Sequence, residues 1–235
     1  ALLFSPAPNM ASLPYLITGI ALHFGYQLVL LRAYHNGDLT QIYPIARGSA
    51  PMIVAVVSVV FLGVSLQTLE IMAVATIGLG ILSIALVRSS DGMHNPQGVK
   101  LALITGCFIA AYSLVDGMGA RAAGTAMGFY GWLAVSNALL MIAFIAYRAP
   151  HQFRALVISG KRVFLIGGSA SFVAYGIVIW AFTQAPIALV TALRETSIIF
   201  ALLIGVFVLR EKMDLAKLAS TAITLIGVAL LRLAK

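Results

Sequence analysis

Two arginines and a glutamate stand where an apolar chain has least reason to place charge. Arg194 and Glu195 follow the run Ala185-Pro186-Ile187-Ala188-Leu189-Val190-Thr191-Ala192-Leu193, and the hydrophobic pattern resumes after them as far as Leu209-Arg210-Glu211. Pro186 suits a first helical turn, where its missing N–H costs nothing. Counted from Pro186, Arg194 lies roughly 12 Å along a helix, a little short of the middle of a hydrocarbon layer about 30 Å thick. Charge at that depth costs at least ~2.5 kcal/mol per group, so these side chains must face protein or water. Arg47, in Tyr43-Pro44-Ile45-Ala46-Arg47-Gly48-Ser49-Ala50-Pro51, is a second embedded arginine.

The chemistry open to this set is electrostatic. Arg47 and Arg194 facing a central cavity would attract an anionic group such as a substrate carboxylate. The competing reading is architectural: an ion pair of Arg47 with Glu195. Neighbours on a helix point about 100° apart, so Arg194 and Glu195 do not easily serve one common partner. Glu195 is also a candidate proton carrier, since burial favours its neutral form and a nearby arginine its charged form. Pro44 and Pro51 bracket Arg47 and are read as kinks, which membrane helices tolerate where a cavity or water satisfies the freed carbonyl. Tyr130 and Trp132, close to a span end, are read as an interfacial belt. His23 and Gln27 share a helix face as a hydrogen-bonded core pair, and Asp116 is read as interfacial. Cys107 is the only cysteine, and no metal site is expected.

These residues need a scaffold of membrane helices. The chain has 235 residues, 61% of them hydrophobic and only 9% charged, which excludes an ordinary soluble domain. The net charge of +8 comes without any basic run, so nucleic acid is not an expected partner. Lys and Arg gather at span ends, where headgroups and the positive-inside bias account for them. Hydropathy gives about eight spans, at 12–33, 40–62, 68–87, 98–119, 126–147, 162–183, 186–209 and 215–233. The polar linker 88–98 divides a first repeat, 1–90, from a second, 98–235. Laying Arg47 on Arg194 without a gap places Ser49 on Thr196, Leu62 on Leu209 and Gly80 on Gly227. The matched spans lie an odd number of crossings apart, which is the inverted-repeat pattern of secondary transporters. Ala120, Gly124, Gly128 and Gly131 offer small residues at helical spacing for close packing.

The segment 43–51, the later Ala192-Leu193-Arg194-Glu195-Thr196-Ser197, the Leu209-Arg210-Glu211 end and the closing Gly227-Val228-Ala229-Leu230-Leu231 resemble the EamA-like family of the drug/metabolite transporter superfamily. The resemblance covers essentially the whole chain and implies an all-α polytopic membrane protein, an inverted-repeat helical bundle. The family usually has ten helices. This chain opens on Ala as if at the third, so two N-terminal helices are expected to be missing. Val64 stands where Glu211 falls in the second repeat. By resemblance, Tyr112, Tyr175 and Trp180 line the cavity, with Tyr43 a further aromatic candidate.

The function expected is a secondary transporter of small polar or amphipathic metabolites, an exporter working by alternating access in the bacterial cytoplasmic membrane. No ATP motif or cofactor is expected, so the energy would come from an ion gradient or the substrate gradient; proton coupling and a homodimer are both left open. The alternatives are a non-transporting membrane subunit and, further off, a membrane enzyme acting on lipid-linked substrates. The positive-inside count puts both termini outside, whereas the family resemblance puts them in the cytoplasm.

Overall fold

The computed structural model describes residues 5–36, 39–88, 96–151, 153, 158, 160–197, 200, 219, 222–223, 226–227, 229–230 and 233. Those residues are helical or connecting, without a strand. The helices are α1 Leu13–His35, α2 Leu39–Val60, α3 Thr68–Arg88, α4 Pro96–Ala122, α5 Ala126–Arg148, α6 Ser169–Gln184 and α7 Ile187–Arg194. A 3-10 turn, Met10–Ser12, leads into α1, and a π-helical turn, Phe164–Gly168, leads into α6.

Four stretches are long and apolar enough to cross a membrane: Met10–His35, Pro96–Ala122, Ala126–Arg148 and Phe164–Gln184. Shorter apolar stretches, Ile45–Val60 and Thr68–Gly80, occupy α2 and α3. Each of the first six expected spans therefore falls on helical structure. The seventh begins as α7, and most of its remainder and of the eighth lie outside the described residues, as do Glu211 and most of the 88–98 linker.

The chain forms two compact units that interleave along the sequence. One holds Ala1–Gly25 and Leu114–Ala185; the other holds Tyr26–Ser113 and Pro186–Lys235. α1 and α4 each contribute one part to each unit. This division by packing differs in kind from a division into repeats at 90–98.

In the first unit α5 packs on α6. α4 ends into Gly124, whose φ of +70° is the left-handed conformation that closes a helix without a Cβ penalty. Thr125 then caps α5 by accepting from the Gly128 N–H at 3.1 Å. Gly119 permits a close approach: a Cβ there would lie 2.5 Å from the Phe129 ring. Phe129, Leu133, Ile179 and Phe182 are buried in this unit.

In the second unit α2 packs along α3, and α7 packs on both. Val74, Ile77 and Ala192 form a buried cluster within it, with Ala55 and Leu189 against them. A Cβ on Gly106 of α4 would strike Ser49 Oγ and lie 3.0 Å from the Ala46 carbonyl, so α4 and α2 meet nearly backbone to backbone. Gly227 is packed equally closely, with the Ile77 nitrogen 2.9 Å from where its Cβ would stand. Small residues at such contacts let dispersion, rather than a hydrophobic drive absent in lipid, hold helices together.

Candidate functional site

α7 begins after Pro186, whose φ of −55° and ψ of 134° set the entry. The single helix expected across 186–209 is interrupted early. Regular α-helix stops at Arg194, and Glu195 and Thr196 form a turn before helical conformation resumes at Ser197. The Glu195 N–H points to the Ala192 carbonyl at 3.1 Å, and Thr196 Oγ1 donates to the Leu193 carbonyl at 2.6 Å. Both bonds span three residues, the tighter winding of a helix end. A short hydroxyl competing for backbone carbonyls is a local reason for the interruption.

The interruption carries the charged cluster. Arg47 Nε lies 2.7 Å from Glu195 Oε2, and Arg194 Nε donates to Glu195 Oε1 at 3.2 Å. Glu195 is 1% exposed, Arg194 9% and Arg47 18%. Arg47 Nη2 donates weakly to Ser197 Oγ at 3.4 Å. The Arg194 guanidinium carbon stands 5.9 Å from the centre of the Tyr112 ring, a cation–π distance. Tyr26 supports that ring edge-on at 5.4 Å. The structure thus contains the ion pair of the architectural reading, and Arg194 also reaches Glu195. Two cations meet one carboxylate in an almost dry setting, where electrostatic interactions are strong.

Arg47, Arg194, Glu195 and Tyr112 come together in the second unit. Tyr43 and Pro44 lie within α2, but their side chains fall outside what is described; Pro51 is buried in the same helix. α2 runs from Leu39 to Val60 through both prolines. Tyr175 and Trp180 are on α6, in the first unit, and do not belong to the charged cluster. Trp180 is 53% exposed and lines a cavity of about 450 Å³ with Arg121, Thr125 and Thr183. Arg121 there donates to the Phe182 and Ala185 carbonyls, each at 2.8 Å, which closes the end of α6.

Three readings change. Asp116 is not interfacial: it is wholly buried, with Oδ2 accepting from the Tyr175 hydroxyl at 2.7 Å and meeting His23 Nε2 at 2.7 Å. His23 is accordingly engaged by Asp116, whereas a pairing with Gln27 was expected. Tyr130 is 6% exposed, stacked on Phe172 at 4.8 Å and edge-on to Tyr175 at 5.5 Å, so it is core rather than belt. Trp132 remains 46% exposed. The available signal for Asp116 was a lone acid in an otherwise uncharged stretch between Lys100 and Arg121. Among the described residues, no three His, Cys, Asp or Glu side chains converge on a metal position.

A solved structure, described only as a crystal structure of a protein, is similar to this chain with a TM-score of 0.69 at 17% identity, covering 99% of this chain and 78% of its own. At that identity the likeness shows the fold alone. No curated protein matches. The model of the EamA-like transporter family matches residues 96–233, more than half of the chain. This all-helical integral membrane protein belongs to the EamA-like transporter family, within the drug/metabolite transporter superfamily.

Proposed function

We propose that this chain is a secondary transporter of small polar or amphipathic metabolites bearing a carboxylate, exporting them across a bacterial cytoplasmic membrane by alternating access. The observation that carries the reading is the Arg47–Glu195–Arg194 cluster at an interrupted helix. Broken helices with charged side chains are where secondary transporters build their sites. A guanidinium matches a carboxylate in both charge and fork geometry. An incoming carboxylate competes with Glu195 for one arginine, so the ion pair opens as the substrate binds and re-forms as it leaves. That exchange keeps a buried charge partnered throughout the cycle, which avoids the several kcal/mol that an uncompensated ion costs.

Under this reading the segments 40–87 and 186–233 are inverted repeats, and Arg47 with Glu195 bridges them. Tyr112 orients Arg194 and offers a ring face to the substrate. The prolines Pro44 and Pro51 remove backbone bonds within α2 and give the helix a place to bend.

Binding tests the reading first. Thermal unfolding of the purified protein in detergent is followed with a panel of amino acids and other small carboxylates, each beside its amide or methyl ester. A stabilisation that appears with a carboxylate, saturates, and is absent with its ester supports the proposal. Equal behaviour of every acid and ester pair removes the arginine cluster as the recognition element.

A further inference from the structure

Asp116 is the second acid buried among the described residues, and the arginine cluster makes no use of it. It sits on α4 in the first unit, with 0% of its side chain exposed. Its Oδ2 accepts from Tyr175 Oη of α6 and meets His23 Nε2 of α1, each at 2.7 Å. Its Oδ1 has no hydrogen-bond partner among the described residues. That oxygen lies under Gly19 of α1, where a Cβ would stand only 2.8 Å away. The charged and titratable groups around it come from several elements. α1 brings His23, α6 brings Tyr175, and α5 brings Tyr130, whose ring lies edge-on to Tyr175. On α4 itself the nearest cation is Arg121, which donates to the carbonyls at the end of α6.

We infer that Asp116, His23 and Tyr175 form an exchangeable proton site. The charge count is the argument. An aspartic acid beside a neutral imidazole holds one proton, and the pair is neutral. Loss of that proton leaves a single negative charge on Asp116, and the Tyr175 hydroxyl and a His23 N–H still donate to it. Return of the proton needs no rearrangement, because Oδ1 or the imidazole accepts it. Both states therefore have hydrogen-bonded forms, which a purely structural buried carboxylate does not require. His23 is the more accessible of the two: its side chain keeps 15% exposure while Asp116 has none. The proton passes from water to the imidazole and on to the carboxyl oxygen, and leaves by the reverse route. In the transporter proposed above, and resting on that reading, this site is the proton half of the cycle.

The test uses the full chain in vesicles of phosphatidylethanolamine and phosphatidylglycerol. Infrared difference spectra between mildly acidic and mildly alkaline buffer are recorded in light and heavy water. The expected result is a deuterium-sensitive carboxyl band that titrates, is lost in Asp116→Asn and persists in Glu195→Gln. His23→Gln keeps the carboxyl and should move the band's midpoint, which covers the case in which Asp116→Asn fails to fold. A merely structural cluster gives no titrating band, or one that His23→Gln leaves in place; either result overturns the inference, as does a band that disappears with Glu195→Gln. This measurement needs no substrate, so it stands or falls apart from the transport reading. With a carboxylate found to be carried, the extra accumulation driven by an imposed pH gradient should be lost in Asp116→Asn; its persistence would refute the coupling.

Discussion

Replacing Glu195 by Gln removes the one carboxylate between two guanidiniums while keeping the shape of the side chain. The attraction lost is large, because the contacts are 2.7 Å to Arg47 and 3.2 Å to Arg194. Each corresponds to about 5–6 kcal/mol of Coulomb energy at an effective dielectric constant of ~20, much of it offset by the cost of drying the ions. Mutating one member of a buried pair leaves the other charge uncompensated, for about 3–5 kcal/mol. Arg47 at 18% exposure regains some water, whereas Arg194 at 9% regains less, which sets the expected loss near the lower bound. Unfolding in mixed micelles with rising denaturing detergent reads this directly. Arg47→Met alone should cost less, since Glu195 keeps Arg194. The Arg47→Met/Glu195→Gln double variant should show a coupling of about 1–3 kcal/mol between the two positions. A Glu195→Gln protein within about 0.5 kcal/mol of wild type would place this pair with exposed surface ion pairs and refute the buried-cluster argument.

Three smaller perturbations probe the scaffold by the same unfolding assay. Gly106→Ala puts a methyl against Ser49 and the Ala46 carbonyl and should cost about 1–3 kcal/mol as overpacking, with Ser49→Ala returning only part because the carbonyl contact remains. Tyr112→Leu should cost about 0.5–2 kcal/mol by removing the ring beside Arg194, and Tyr112→Phe should recover most of it; equal losses in the two variants would mean that the hydroxyl matters rather than the ring face. Arg121→Gln strips the cap from the Phe182 and Ala185 carbonyls and should cost about 0.5–2 kcal/mol, read most sharply as faster amide exchange at the end of α6.

Helix positions were the most legible feature, since about 20 apolar residues between polar linkers leave a membrane chain few options. α1, α4 and α5 fall within three residues of the spans read from hydropathy. The interruption at Glu195 was not legible, because the apolar pattern runs on through it and only the Thr196 hydroxyl hinted at competition for carbonyls. Asp116 was missed for a different reason: His23 is 93 residues away and Tyr175 59, and no spacing rule joins side chains on three helices. Tyr130 was misplaced because position near a span end does not reveal that Phe172 and Tyr175 pack over it. Arg47 and Glu195 were legible as a pair only by laying the sequence around Arg47 on that around Arg194.

The central claim, carboxylate transport governed by the Arg47–Glu195–Arg194 cluster, is met most directly by counterflow. Vesicles loaded with an unlabelled carboxylate that stabilises the protein are diluted into a trace of the labelled compound. A transient, saturable overshoot is expected with the wild-type chain, reduced at least about tenfold by Arg194→Gln, which corresponds to ~1.4 kcal/mol or more of lost recognition. Overshoot of equal size with Arg194→Gln, or equal exchange of the methyl ester, would contradict that claim.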